Sequence, residues 1–217
     1  MLRHILWDWN GTLVDDAGIC VRVLNELLAD WGRGPVSLED YRAEFGFPVK
    51  DYYRRLGFPL EQKEFETVSQ RFIKRYYELF EEARLHLGVA DLIEELGESG
   101  VTHSVLSASK QEHLEHAVNA LRITHHFEAL IGISNIFAHG KLEEGRRWVA
   151  EMPWRKEEVL LIGDTLHDHE VAGALGIPCI LLAHGHYSPD RLRESGAEVC
   201  ENLDELRALL ARRRAEG

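Results

Sequence analysis

Three aspartates, a lysine and several small polar residues stand in this chain where charge is costly, each just after a short apolar run. Asp8, Asn10, Gly11 and Thr12 follow His4-Ile5-Leu6-Trp7, and Ser107, Ala108 and Ser109 follow Val101 to Leu106. His139, Gly140 and Lys141 come after Ala129 to Ile133, and Gly163, Asp164, Thr165 and Asp168 after Val159 to Ile162. Charged side chains beside buried strands are expensive unless they bind something. Taken singly, Asp8 and Gly163-Asp164-Thr165 read as turns, Ser107 as a helix cap and Lys141 as a surface lysine. Taken together, three carboxylates, two small hydroxyls and one lysine at four successive strand ends read as one site.

The elements that must position these residues are legible from periodicity. His4 to Trp7 is a buried strand running into the glycine turn at Gly11. From Asp16 to Arg84 the pattern turns helical. Ile19, Val23, Leu24, Leu27 and Leu28 recur at helical spacing up to Trp31-Gly32. Ser37 begins a capping box with Asp40 at the third position, Pro48 opens a helix that Gly57 closes, and Pro59 precedes a long helix from Glu61 to Arg84. After Gly88, strands at 101–106, 129–133, 159–162 and 178–182 alternate with helices at 89–96, 109–121, 143–151, 167–175 and 203–213, with fraying from Ala211 onward. Alternation with continuous apolar strands predicts a doubly wound parallel α/β sheet, a Rossmann-like core, covered on both faces. An all-helical domain is inserted after its first strand. The expected division is a core of 1–15 and 86–217 and a helical insert of 16–85, with hinges at Asp15-Asp16-Ala17 and His86-Leu87-Gly88. Ligands of open parallel sheets bind at the carboxyl ends of the strands, where the singled-out residues lie.

Composition narrows the partners. The 217 residues include 25 Lys and Arg against 37 Asp and Glu, a formal net charge of -12. Such a surface repels nucleic-acid backbones and anionic membranes, so neither is an expected partner. It also repels small anions, so a phosphate-ester site here needs local cations, a metal or oriented backbone N–H groups. Cys20, Cys179 and Cys200 are far apart and without CxxC spacing, which predicts reduced thiols in a cytoplasmic protein. The apolar start is too short for a signal peptide, and no run approaches a membrane-spanning length of about 20 residues.

The four motifs, Asp8-Trp9-Asn10-Gly11-Thr12-Leu13-Val14-Asp15, Leu106-Ser107-Ala108, Lys141 and Gly163-Asp164-Thr165-Leu166-His167-Asp168, resemble those of the haloacid dehalogenase superfamily, in its phosphoglycolate-phosphatase-like branch. Leu182-Ala183-His184-Gly185, Ser195-Gly196-Ala197 and Leu203-Asp204-Glu205-Leu206 resemble that branch too, and the insert matches the position and size of its cap. The resemblance implies a Mg2+-dependent phosphatase of a small phosphorylated metabolite, phosphoglycolate-like, acting through an aspartyl-phosphate on Asp8. Asp8 and Asp164 then supply side-chain metal ligands, Asn10 its carbonyl, and Asp168 a ligand directly or through water. Lys141 pairs with Asp8 and the phosphate, while Ser107, Ala108, Gly11 and Thr12 surround the phosphoryl oxygens.

One position departs from the pattern. Such phosphatases carry a second aspartate two residues after the nucleophile to move protons, and Asn10, an amide, cannot. Three readings follow. The protein is a phosphatase whose acid–base help has moved, for which His167, His169, His184 and His186 are candidates. Or it resembles phosphonoacetaldehyde hydrolase, with Lys50 of the insert forming a Schiff base. Or it is a non-catalytic phosphate-ligand-binding module. The insert is expected to act as a lid, with Arg42, Lys50, Arg54 and Arg55 as cations that greet an anionic substrate. Trp7 and Trp9 are expected to pack in the core.

Overall fold

The structure, a computed structural model, describes residues 1–58, 61–134 and 141–215. Ten α-helices and eight strands are defined among them. The strands are β1 (His4–Trp7), β2 (Val14–Asp15), β3 (Arg84–Leu85), β4 (Thr102–Lys110), β5 (Ala129–Ile133), β6 (Val159–Gly163), β7 (Cys179–Leu182) and β8 (Glu198–Cys200). Between β2 and β3 lie α1 (Ala17–Asp30), α2 (Leu38–Glu44), α3 (Val49–Arg55) and α4 (Gln62–Leu79). The rest are α5 (Val89–Glu98), α6 (Gln111–Ala120), α7 (Leu142–Glu151), α8 (Leu166–Leu175), α9 (Pro189–Arg193) and α10 (Leu203–Ala215).

Six strands form one sheet in the order β5-β4-β1-β6-β7-β8, every neighbouring pair parallel. This is the doubly wound Rossmann order, and the strand order reverses direction at β1. Its strands are apolar on both faces because helices cover both. Ile5 and Trp7 of β1, with Leu160 and Ile162 of β6, face the core built with α5, α6 and α10. Leu6, Val159 and Leu161 face the opposite core, built on Val171, Ala172 and Leu175 of α8. Trp9 is also in the first core, 1% exposed, as strand alternation predicts.

The helical insert is bracketed by a two-stranded antiparallel ribbon that pairs Val14 with Leu85 and Asp15 with Arg84. Two backbone segments held this closely fix where the chain leaves the sheet and where it returns. Within the insert, Ser37 caps α2 by accepting from the Asp40 N–H, and Pro48 stands at the start of α3. The expectation that Pro59 precedes α4 lies outside the described residues.

Four boundaries differ from the sequence reading. Helix α4 ends at Leu79, and Arg84, expected at its end, already lies in β3 paired with Asp15. Strand β4 runs to Lys110, past Leu106, because a register shift between Leu106 and Lys110 lets the pairing with β5 resume after Ser107-Ala108-Ser109. The Gln111 side chain then bonds the N–H of Gly132 and the carbonyl of Leu130, so α6 starts at Gln111 instead of Ser109. Helix α10 continues to Ala215, with Leu206 and Leu210 buried, so the chain is still helical where fraying was expected.

Candidate active site

Asp8 follows β1 at the point where the strand order reverses, and its N–H donates to the Ile162 carbonyl of β6. Its side chain sits among charges brought from two other strand ends, Lys141 after β5 and Asp164 with Asp168 after β6. The Lys141 ammonium, only 2% exposed at the start of α7, donates to carboxylate oxygens of both Asp8 and Asp168. Asp164, directly after β6, is fully buried; its Oδ1 accepts from the Thr12 hydroxyl at 2.9 Å and its Oδ2 from the His186 N–H at 2.6 Å. Asp168 is fixed by a capping box at the start of α8: its Oδ2 accepts from the N–H and hydroxyl of Thr165, at 2.9 and 2.6 Å. The first turn of a helix also favours its negative charge. Carboxylate oxygens of Asp8, Asp164 and Asp168 all lie within 4.8 Å of one another.

Close approach of backbone makes this cluster possible. Gly11 has φ of +75°, and a Cβ there would lie 2.3 Å from Asp164 Oδ2. A Cβ on Gly185 would lie 2.1 Å from the same oxygen and 2.5 Å from the Gly11 carbonyl. Two histidines brace the loop from outside. His86 Nε2 bonds the Gly11 carbonyl at 3.0 Å and His184 Nε2 the Thr12 carbonyl at 3.1 Å, their rings stacked 3.8 Å apart.

The electrostatics follow from three buried carboxylates sharing one ammonium. Burial pushes the Asp8 pKa up to about 8; Lys141 opposes the rise, and the Asp168 and Asp164 carboxylates add to it. Burial likewise pushes Asp164 up to about 6. Burial would raise Asp168 too, but Lys141 and the Thr165 bonds outweigh it and hold its pKa below the usual range. Lys141 is held protonated: burial works against its charge, and the two carboxylates overcome it.

A second buried group, which the sequence does not single out as a cluster, stands beside Asn10. The Asn10 Nδ2 donates to Asp16 Oδ2 at 2.7 Å and to the Tyr76 hydroxyl at 2.9 Å, and its Oδ1 accepts from Ser109 Oγ at 3.0 Å. Tyr76 donates to Asp16 at 2.6 Å, and His186 Nε2 lies 3.3 Å from Asp16 Oδ1. The Tyr41 hydroxyl is 3.0 Å from His186 Nδ1. Burial opposes charge on both partners, yet each stabilises the other. Asp16 stays below the usual carboxylate range and His186 is pushed up to about 9. Asp16 looked like a hinge residue in the sequence; the signal that could have found it is an acidic side chain a few residues beyond an amide that replaces an acid.

The expected site residues do not all fare alike. Asp8, Lys141, Asp164 and Asp168 come together. The Gly11 N–H is already taken by Asp16 Oδ1 at 2.9 Å and the Val14 carbonyl at 3.0 Å, so in this arrangement it has no proton left for a phosphoryl oxygen. The Thr12 side chain is fully buried and spans Asp164 and Asp8. Ser107 is buried, its Oγ accepting from the Ser109 N–H at 3.0 Å, while Ala108 and Ser109 line the cavity above Asp8. His139 and Gly140 lie outside the described residues. Of the histidines, His184 is a brace, His167 lines the cavity with its ring 4.9 Å from that of Phe47, and His169 does not line it. Lys50 stands 5.4 Å over the Phe65 ring, and its neighbour Val49 lines the cavity instead. The insert arginines are engaged elsewhere. Arg42 donates to the Gly185 and His184 carbonyls, Arg54 to Asp51 and Arg55 to the Glu44 carbonyl.

A Rossmann-type sheet with carboxylates and a buried lysine at its switch point is the build of an α/β enzyme. The family model described as haloacid dehalogenase-like hydrolase matches residues 5–182, so the chain belongs to that family. It is 24% identical over 215 residues to phosphoglycolate phosphatase 1 of Pseudomonas aeruginosa, covering 96% of this chain and 78% of that one. With the phosphoglycolate phosphatase of Caulobacter vibrioides it shares 28% over 204 residues, 90% of this chain and 84% of the relative. A solved haloacid dehalogenase-like hydrolase from Bacteroides fragilis superposes with a TM-score of 0.82 at 17% identity, over 95% of this chain and 100% of that one. No helix among the described residues is long and apolar enough to cross a membrane.

Proposed function

We propose that this hydrolase is a Mg2+-dependent phosphatase of a small phosphorylated molecule, with Asp8 as the nucleophile. The observation that carries the reading is the buried Lys141 ammonium bridging Asp8 and Asp168, with Asp164 within the same 4.8 Å cluster. The relatives' names, phosphoglycolate phosphatases, agree with a phosphate-ester substrate.

The donor set suits the metal. Three buried carboxylates face one ammonium, leaving negative charge that a hard divalent cation neutralises, and all three offer oxygen, the ligand that Mg2+ prefers. Asp8, Asp164 and Asp168 would hold it, with the Asn10 carbonyl. When bound, Mg2+ draws the phosphoryl group's charge and lowers the repulsion between it and Asp8.

The remaining work falls to the chain. A carboxylate oxygen of Asp8 forms the bond to phosphorus as the ester P–O bond breaks, and the leaving oxygen takes up a proton. Water then attacks the phosphorus, releasing inorganic phosphate and the Asp8 carboxylate. Lys141, kept protonated by its two carboxylates, fixes the Asp8 side chain and balances its charge. Asn10 moves no proton; its amide holds Asp16, Tyr76 and Ser109 in place. Residues 16–85 act as a lid over a core of 1–15 and 86–217, turning on the β2–β3 ribbon. Three unpaired thiols fit a reducing compartment such as the cytoplasm.

The test is phosphate release from p-nitrophenyl phosphate with and without Mg2+. Turnover is expected to need the metal and to fall about a thousandfold or more in Asp8→Asn. Beryllofluoride should leave an adduct on Asp8 of the parent protein alone. No turnover and no adduct would indicate a phosphate-binding module in place of an enzyme.

A further inference from the structure

The cavity above Asp8 holds about 340 Å³, within the roughly 300–1,000 Å³ range of pockets that take drug-sized ligands. It runs from Asp8 and Lys141 up into the helical insert, and its walls change character on the way. Five of the six tyrosines and four of the eight phenylalanines of the chain line it. Tyr41 and Phe45 lie nearly parallel, 16° apart with centroids at 4.8 Å, as do Phe72 and Tyr76, 9° apart at 6.4 Å. Two of the phenols have their hydroxyls engaged, Tyr41 with His186 and Tyr76 with Asp16, so these side chains offer the cavity mainly ring surface. Leu24, Val49 and Ile73 add aliphatic surface to the same wall.

Cations are scarce there. Among the described residues, the lysines and arginines that line the cavity are Lys110 and Lys141, paired with Glu112 and with Asp8 and Asp168. The insert arginines that could have met a substrate carboxylate are engaged with Gly185, His184, Asp51 and Glu44 instead. A short hydroxy-acid body would bring a second negative charge among these rings, where the lining lysines and the His186 imidazolium are already paired with carboxylates among the described residues, which is costly. Nor is the ring wall simply core, because protein cores close up to crystal-like density and leave few voids larger than a water.

We infer that the leaving alcohol of the substrate carries an aromatic or similarly flat apolar body, seated among the rings of α2, α3 and α4, and is not a short hydroxy acid. This rests on Asp8 and Lys141 marking the phosphate end.

Two sets of matched compounds test it. The first compares kcat/KM for 2-phenylethyl phosphate, ethyl phosphate and phosphoglycolate with Mg2+; the two alkyl esters release alcohols of similar acidity, so a difference between them reports the pocket. The second compares, by calorimetry, Kd for 3-phenylpropylphosphonate and propylphosphonate, which cannot turn over. The aryl member of each pair is expected to lead by about ten- to a hundredfold, the worth of burying one ring. Phe72→Ala should shrink that lead; if the variant does not fold, the parent comparisons still decide. Turnover without aryl preference, or with phosphoglycolate ahead, overturns the inference and leaves the phosphatase reading standing. Aryl-selective phosphonate binding without turnover supports the inference and overturns the phosphatase reading. Neither turnover nor phosphonate binding overturns both.

Discussion

Asn10 donates through its amide to the Asp16 carboxylate at 2.7 Å, and that contact decides what an acid in its place would do. Asn10→Asp keeps the shape but removes both donated N–H bonds. It also sets a second carboxylate against Asp16, which is already fully buried and paired with His186. Like charges at this distance cannot both ionise. The variant is therefore expected to lose about 1.5–3 kcal/mol, the scale of a hydrogen bond to a charged group, read as a lower urea midpoint at pH 7.5. Adding Asp16→Asn should return most of that loss, since an amide at position 16 can donate to the new acid. Turnover on p-nitrophenyl phosphate should rise in the double variant and not in Asn10→Asp alone. A stable and faster single variant would show that Asp16 is not what suits position 10 to an amide. From the sequence alone, Asn10 looked only like a lost catalytic group; the structure gives it a partner, and the Asp16 carboxylate is as much part of the site as the amide.

At the scale of elements, the site depends on loops approaching one another more closely than side chains allow. The turn after β7 brings Gly185 against Asp164 and the Gly11 carbonyl, and an added methyl meets an oxygen of each within 2.5 Å. One of those atoms is backbone, so it cannot swing aside. Gly185→Ala is expected to cost about 1–3 kcal/mol through overpacking and to move Asp164 enough to cut Mg2+-dependent activity at least about tenfold. Thermal melts beside metal-titrated phosphate release would read both; a variant with parent activity would mean that this turn does not position Asp164. Much of the element pattern was legible. β1 and β6 announce themselves as apolar runs that stop at charge or glycine, β5 as one that stops at Ser134, and the acids after β1 and β6 could be read straight off those stops. The ribbon β2–β3 was not, because two-residue strands leave no periodicity. The same holds for β8 and α9, at three and five residues. The bulge that carries β4 past Ser107 was hidden as well, since polar residues at a strand end read as the end itself. Arg42 was visible as a charge, but not its fit to the Gly185 and His184 carbonyls, which lie 143 and 142 positions away in the chain.

For the whole molecule, buried histidines set opposing limits on the pH range of the fold. His4 is fully buried beneath Trp154, whose ring centroid is 4.1 Å away, with Nδ1 on the Thr102 hydroxyl at 2.6 Å. His103 accepts from Trp7 Nε1 at 3.1 Å. Burial lowers their pKa values, to about 3 and about 4, with a smaller push from neighbouring imidazoles. Below the unfolded value of about 6.5, the unfolded chain takes up protons that these folded imidazoles refuse, so stability falls as pH drops. From about pH 6.5 to 5 each histidine removes up to about 2 kcal/mol, a large share of a typical 5–15 kcal/mol. His186 works in the opposite sense. Its pKa is raised from 6.5 to about 9, so its contribution is complete below 6.5 and is lost as pH climbs towards 9. Stability should therefore peak near neutrality and fall on both sides for different reasons. Urea midpoints taken from pH 5 to 9 would trace the two slopes. In the double variant His4→Asn, His103→Asn, the new amide at position 103 can still accept from Trp7, so the acid slope should flatten while the alkaline slope stays. An acid slope unchanged in that variant would assign the loss to other groups. The Asp8 carboxyl, pushed up to about 8, loses stability with rising pH in the same sense as His186, so an alkaline slope that flattened in the variant would assign that loss to neither.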